Sequence, residues 1–470
     1  MEPDFILGCA RQGQLGLSKL AAKLFEDQIV YDHAEKQWYM WTGEKWQQDA
    51  RGHVRIKVGN ELLSQLFTFK SWCFANDKDS DSTLATLTKA EGNIFNKNTL
   101  ENILSLAASQ PGLGLVGDEW DHNIWLLGCE NGVIDLQTCE FRQATARDYI
   151  RKICPAEWTG LETEAPRFEQ FMSEIFADDT EIIHFVYRLL GYSLTGSTRD
   201  HVLPILFGED GRNGKSVLLR VLKEVLGDYI SSMPSKVLLT GMLDPSAATP
   251  YTMMLHGLRM AHCSETNEGF VVDSGIVKML TGGDELSGRP LYGNVVSFKP
   301  THKVLLISNF KPHINADDQA IWERVVLIHF TQRFIDNPTE LNEHKRDPDL
   351  IDKLVLEKSG ILARLVQACL AWQSAGLNIP QSIQFATEIY RSDEDTLTDF
   401  FTEVCLVHDD LNVKASFLYK VYVKWSKDSG TKPMSRNAFG SRVKKRYHFI
   451  RTKKGVEYHG ITVSPSFALV

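Results

Sequence analysis

The stretch from His201 to Tyr229 constrains the fold more than any other. It runs as an apolar segment, Val202-Leu-Pro-Ile-Leu-Phe207, a glycine-rich turn, Gly208-Glu-Asp-Gly-Arg-Asn-Gly-Lys-Ser216, and an amphipathic segment, Val217-Leu-Leu-Arg-Val-Leu-Lys-Glu-Val-Leu226. The apolar segment suits a strand buried on both faces of a parallel sheet. The glycines let backbone N–H groups close around an anion with no Cβ in the way. The helix that follows starts with free N–H groups and a partial positive charge aimed at the same place. Such a unit is expected to bind a phosphate chain through Gly208, Gly211, Arg212, Asn213, Gly214, Lys215, Ser216 and Val217. Lys215 would reach the terminal phosphates and the Ser216 hydroxyl would ligate Mg²⁺. The strict G-x-x-x-x-G-K-[ST] spacing asks for glycine at 209, where Glu209 stands, so the turn is expected to be longer by one residue. The competing reading is a glycine-rich turn with a chance Gly-Lys-Ser.

At 470 residues the chain has room for two to four domains. It holds no uninterrupted apolar run of about 18 residues, so no membrane helix is expected. Met1-Glu-Pro-Asp-Phe has neither the basic flank nor the apolar core of a secretory signal. The eight cysteines include no C-x-x-C pair, which argues against a zinc site or a disulfide framework and fits a reducing cytoplasm. Charge is unevenly spread. Residues 411–470 carry thirteen Lys and Arg against Asp428 and Glu457, a surplus of +11, and the net charge of −9 leaves −20 elsewhere. A strongly basic end on an acidic body suits nucleic acid, although a solvated basic face has the same composition.

In chain order, residues 14–26 have helical spacing, Trp38 to Trp46 alternates as a hairpin around Thr42-Gly-Glu, and helices are expected near 58–74 and 97–108. A second β-rich piece, from Ile124, turns at Asn131-Gly132. Its tryptophans and those before it suit a small core better than base stacking. Residues 167–200 read as an amphipathic helical collar. Gly257 to Glu265 is a second buried strand, with Glu265 as the acid expected beside Mg²⁺. His262 and Cys263 fit structural roles within that strand. Residues 286–298 read as a hairpin with its tip near Tyr292-Gly-Asn294. Lys303-Val-Leu-Leu-Ile-Ser308 is a third strand, with Asn309 at its end, and Val325 to Phe330 is a fourth, with Arg324 at its mouth. The tail is expected to run as helices at 394–401, 415–426 and 435–446, then a hairpin turning at Lys454-Gly455, in the manner of a helix-turn-helix with a β wing.

These pieces together resemble the helicase part of the phage and plasmid primase–helicases, a branch of the superfamily 3 helicases within the AAA+ ATPases. The resemblance rests on Leu190-Gly-Tyr-Ser-Leu-Thr-Gly196, Asn213-Gly-Lys-Ser216, Ser264-Glu-Thr-Asn-Glu-Gly269, Leu280-Thr-Gly-Gly-Asp284 with Arg289-Pro-Leu-Tyr292, Leu306-Ile-Ser-Asn309 and Trp322-Glu-Arg324. It implies a multidomain α/β fold. An α+β region over 1–160 would precede a collar over 161–200, a P-loop AAA+ core with a parallel sheet over 201–345, a helical lid over 346–392 and a winged helix over 393–470. It implies a ring, expected to be a hexamer, that moves along single-stranded DNA using ATP and Mg²⁺. Lys215, Glu265, Asn309 and Arg324 would be the catalytic set, with Asn309 as sensor and Arg324 as a finger acting on the neighbouring subunit. Ser216 and Glu265 would hold the metal. The pore hairpin would offer Arg289, Tyr292, Lys299 and Lys303 to DNA. The tail would offer Arg436, Arg442, Lys444, Lys445, Arg446, Lys453 and Lys454.

The chain departs from that pattern in its lengthened loop and in Ser264, which stands where an acid often precedes the one at 265. Residues 1–20 cannot supply a primase, so a stand-alone replicative helicase of a phage, plasmid or mobile element is expected, with a separate primase or loading protein. Other functions compete. An origin-binding initiator would melt duplex DNA, a P-loop regulatory ATPase would ignore DNA, and a DNA-binding scaffold would have lost its nucleotide chemistry.

Overall fold

The buried apolar runs become neighbours in one parallel sheet. Across it the order is Val325–His329, Leu203–Phe207, Lys303–Ser308, Met260–Ser264 and Ile230–Ser232. The last of these is a three-residue edge strand with no sequence signal of its own. Parallel pairing forces a crossover between strands and places cover on both faces. Leu206, Leu305, Ile307, Val326 and Ile328 enter one core, and Leu203, Ile205, Val304, Leu306, Val325 and Leu327 the other. That two-residue alternation, apolar at every step, is why the runs carry no polar face. The computed structural model describes residues 2–239, 250–264, 269–289, 295–431, 433–453 and 455–468.

The first core continues well beyond the sheet. It takes in the helices Pro166–Ile175, Thr180–Leu194, Lys215–Leu226 and Lys358–Ala375, and also Leu127, Cys129, Ile134 and Trp158. Packing therefore does not break at residue 160. The hairpin of Leu126–Cys129 and Gly132–Asp135, which turns at Asn131-Gly132, belongs with the collar rather than with the helices before it. Those helices, Gly13–Leu24, His53–Ala75, Asp81–Phe95 and Lys97–Ala107, enclose a core of their own. Beside it lies a four-stranded sheet that includes the Gln37–Trp41 and Trp46–Gln48 hairpin. Trp46 and Trp120 are buried, and their indole N–H groups donate to Ala146 O at 2.8 Å and Asp32 Oδ2 at 2.6 Å. They serve this domain as core.

The tail forms a third body around Phe400, Leu418, Phe439 and Tyr458. Its order is helix Thr396–Val404, strand Cys405–Lys414, helices Ala415–Asp428 and Arg436–Arg446, then the hairpin of Phe449–Thr452 and Gly455–Val463. Ser435 caps the third helix, its Oγ accepting from Ala438 N at 3.3 Å. The Cys405–Lys414 strand was not expected. It pairs with Gly455–Val463 and puts the hairpin into a three-stranded sheet. No described helix is long and apolar enough to cross a membrane.

The Thr180–Leu194 and Lys358–Ala375 helices cross at Gly191. A Cβ there would lie 2.3 Å from Cys369 N and 2.5 Å from Ala368 C, both backbone atoms. Gly191→Ala is expected to lower folding stability by about 3 kcal/mol. Gly8→Ala, in a helix where a Cβ meets nothing within 4 Å, is expected to be neutral or stabilising. Denaturant midpoints of the two variants check this.

Candidate functional site

Parallel strands end at the same edge, and ligands bind outside their carboxyl ends. Here the Leu203–Phe207 strand releases the glycine-rich loop, and its neighbour Lys303–Ser308 releases Asn309. The loop returns as the Lys215–Leu226 helix, capped at Gly214 with φ +89°. This places Lys215 at the first helical position, 5% exposed, beneath the sheet edge. Its Nζ donates to Gly208 O at 3.0 Å and to Asn309 Oδ1 at 3.1 Å. Two neutral oxygens hold a buried ammonium, and burial lowers its pKa from 10.5 to about 8. An anion arriving there would supply the charge the cation lacks.

Gly208 is tightly enclosed by the loop it opens. A Cβ on it would lie 2.1 Å from Asn213 Nδ2, 2.9 Å from Lys215 Nζ and 2.9 Å from Phe330 O. The close approach that the sequence pattern assigns to residue 209 is made by Gly208. The extra residue is absorbed by left-handed backbone at Gly211 and Arg212, φ +64° and +51°.

Beside the loop lies a cavity of about 610 Å³. Arg212, Ser216 and Val217 line it from the loop, Phe171 from the collar, and Phe334 and His344 form a further wall. That wall is a two-stranded parallel ribbon, Arg333–Ile335 with Glu343–Lys345. It is bonded to the loop, because Phe334 N donates to Arg212 O at 2.8 Å. Ser216 is exposed and lines the cavity. Sequence reasoning missed the ribbon. Residues 331–349 are charged, contain Pro338 and Pro348 and show no periodicity, so the only signal was an aromatic at 334.

The other expected residues divide. Glu265, Tyr292 and Lys454 lie outside the described residues. Arg289 and Lys299 are exposed and flank the antiparallel pair Leu286–Gly288 and Val296–Phe298. Lys303 does not belong with them. It is 4% exposed, its Nζ donates to the Thr195 carbonyl, and it lies 4.5 Å from the Tyr192 ring centre. A lysine at the start of a buried strand was mistaken for a DNA contact, and it works instead as a strut to the collar. Arg324 stands at the amino end of Val325–His329, with its Nη1 on Ala320 O at 2.5 Å. A strand of five residues, about 16 Å, separates it from the edge that carries Lys215 within the same subunit.

In the tail, Arg442 and Arg446 share one helix face and turn toward the body. Arg442 Nε pairs with Asp317 at 2.5 Å and Arg446 Nη2 with Asp395 at 2.5 Å. Arg442 also bonds the Asn315 side chain. Both were expected at DNA; in this structure Arg442 docks the third helix onto the segment before Arg324, and Arg446 binds Asp395 at the start of the tail and lies 3.8 Å from Asp317. The opposite face of that helix is open. Arg436, Ser441 and Lys444 line a groove of about 810 Å³ against Phe449 and Tyr458, and Lys445 and Lys453 are exposed.

Residues 18–177 match the family described as D5 N terminal like, and residues 392–459 the one described as Poxvirus D5 protein-like. The chain is 25% identical, over 422 residues, to a protein named as a putative helicase of Acanthamoeba polyphaga mimivirus, covering 84% of this chain and 43% of that protein. It is 28% identical over 362 residues to a putative helicase of Invertebrate iridescent virus 6, covering 69% and 36%. It is 26% identical over 303 residues to a putative primase of African swine fever virus, covering 60% and 31%. The chain thus spans less than half the length of these relatives. In fold it is similar to the apo C-terminal region of NrS-1, with a TM-score of 0.50 and 11% identity, over 96% of this chain and 100% of that one.

If Gly208 sets the loop, Gly208→Ala should weaken ATP binding at least tenfold, about the loss of one charged hydrogen bond. Gly211→Ala adds a Cβ in open space and should cost only the left-handed backbone term of about 1 kcal/mol. Titration with a fluorescent ATP analogue separates the two. Equal losses would contradict the assignment.

Proposed function

We propose that this chain, which carries the D5-type regions of a viral primase–helicase family with a superfamily 3 helicase, is an ATP hydrolase that drives unwinding of DNA in replication. The observation that carries the proposal is the bond between Lys215, at the start of the loop helix, and Asn309, at the end of the neighbouring strand, behind a loop whose Arg212, Ser216 and Val217 line a nucleotide-sized cavity. Lys215 binds the terminal phosphates, exchanging a neutral oxygen for a charged one. Asn309, freed from Lys215, orients the attacking water. Ser216 would be the protein ligand of a Mg²⁺ brought by the nucleotide, which would supply neutralisation of charge developing on the phosphates. Among the described residues no group of three His, Cys, Asp or Glu is placed to hold a metal. Glu265 is proposed to complete the site.

The position of Arg324 at the far end of its strand favours action in trans. It reaches nucleotide bound by the next subunit, so hydrolysis requires an assembly, proposed to be a hexameric ring. Arg289, Lys299 and Tyr292, on and around the hairpin, are proposed to grip single-stranded DNA in the pore. The tail, read as a winged helix, binds duplex through Arg436, Lys444, Lys445, Lys453 and Lys454. Its open groove favours a second reading that coexists with the first, in which the tail loads the ring at a duplex origin.

Steady-state hydrolysis with and without single-stranded DNA, on the wild-type chain and Lys215→Ala, tests the proposal. DNA should stimulate the wild type severalfold. Lys215→Ala should lose about a hundredfold or more in rate, as expected when transition-state charge stabilisation is removed. Hydrolysis indifferent to DNA would sink the translocase and leave a regulatory ATPase.

A further inference from the structure

A phosphate loop accounts for only one end of a nucleotide. The cavity beside it runs on past Ser216 and Val217 to a wall that none of the loop chemistry requires. On that wall Phe334 and His344 are direct partners across the parallel ribbon, with ring centres 5.3 Å apart and planes tilted by 30°. Both are half-buried, so each keeps ring surface toward solvent or ligand. Neither is loosely placed. Phe334 N is bonded to Arg212 O of the loop at 2.8 Å, and His344 Nε2 shares a hydrogen bond with Gln332 Oε1 at 2.8 Å. The ribbon is braced further by Arg333 Nη1 on Glu343 Oε1 at 3.1 Å. Glu343 also accepts from the backbone N–H groups of Thr339 and Glu340 at 2.8 and 3.2 Å, closing the connection between the strands.

Two aromatic rings on the wall of a cavity that the glycine-rich loop also lines, through Arg212, Ser216 and Val217, match a molecule that is planar in one part and anionic in another. We infer that Phe334 and His344 form the base-binding wall of the nucleotide site, stacking the purine of a nucleoside triphosphate whose phosphates lie on the loop. This rests on the nucleotide-site reading proposed above. Stacking scales with ring area and ignores the hydrogen-bonding edge of a base. The site therefore prefers purine to pyrimidine triphosphates and separates ATP from GTP weakly. The bond from Phe334 to Arg212 also makes the wall and the loop one unit, so a base seated on the ribbon steadies the loop that holds the phosphates.

Binding of ATP and of inorganic tripolyphosphate, measured by calorimetry on the full chain, tests this. Phe334→Leu keeps apolar volume and removes the ring, and His344→Ala removes the second ring. Each is expected to weaken ATP binding at least about tenfold while leaving tripolyphosphate unchanged. Phe334→Tyr is expected to restore ATP binding. Lys215→Ala should weaken both ligands. If Phe334→Leu leaves ATP binding intact, or weakens ATP and tripolyphosphate alike with an unchanged thermal unfolding curve, the base wall is overturned. A wild-type chain that binds neither ligand overturns the nucleotide-site reading itself.

Discussion

The hydrogen bond from the Lys215 ammonium to the Asn309 side chain joins the ends of two neighbouring strands. It exists because the loop returns its helix directly beneath the sheet edge, and because Gly208 lacks a Cβ at the one point where the loop backbone passes Lys215. A buried ammonium is unfavourable unless its hydrogen bonds are satisfied. Two uncharged acceptors satisfy it in part, and burial lowers its pKa to about 8. A phosphate would complete the pairing and release Asn309. The same contact thus orders the site and would change on ligand entry.

Other buried cations hold the sheet to the rest of the body. Lys303 reaches the Thr195 carbonyl at the end of the Thr180–Leu194 helix. Arg259, 1% exposed, donates to Asn123 O at 3.3 Å and Leu126 O at 3.4 Å. Burial holds both below their usual pKa. Tyr229 adds a bond from the same side, its hydroxyl accepting from Gly128 N at 3.0 Å. Through these contacts the hairpin of residues 126–135 and the collar form one body with the sheet. The tail joins through the ion pairs of Arg442 and Arg446, whose acids sit on the segment leading to Arg324 and at the start of the tail.

The sheet was legible because strands buried on both faces are apolar at every step, as Leu203–Phe207 and Val325–His329 are. The Cys405–Lys414 strand was not, because His408-Asp-Asp410 interrupts its apolar pattern and its register shifts between Val407 and Asn412. Lys215 was legible as the first helical residue after a glycine-rich turn, and Asn309 as a strand-end residue. Lys303 was misjudged because a sequence does not show whether a cation at a strand start meets water or a carbonyl. Arg442 and Arg446 were misjudged because their partners Asp317 and Asp395 are far away in the chain, 51 residues in the nearer case. Phe334 and His344 were missed because their pairing depends on a ribbon of three-residue strands, too short to carry a pattern.

The central claim is that the Lys215 charge is completed by a phosphate, and linked protonation tests it most directly. With its pKa near 8 in the free chain, Lys215 is mostly neutral at about pH 8.5, and an anion that raises the pKa makes it take up a proton. Calorimetry of ATP binding in two buffers of different ionisation enthalpy should therefore report proton uptake at about pH 8.5 that falls away toward pH 7. The uptake should vanish in Lys215→Arg, whose side chain stays charged throughout. Tight ATP binding with no proton uptake at the higher pH, or with the same uptake in Lys215→Arg, would contradict the account.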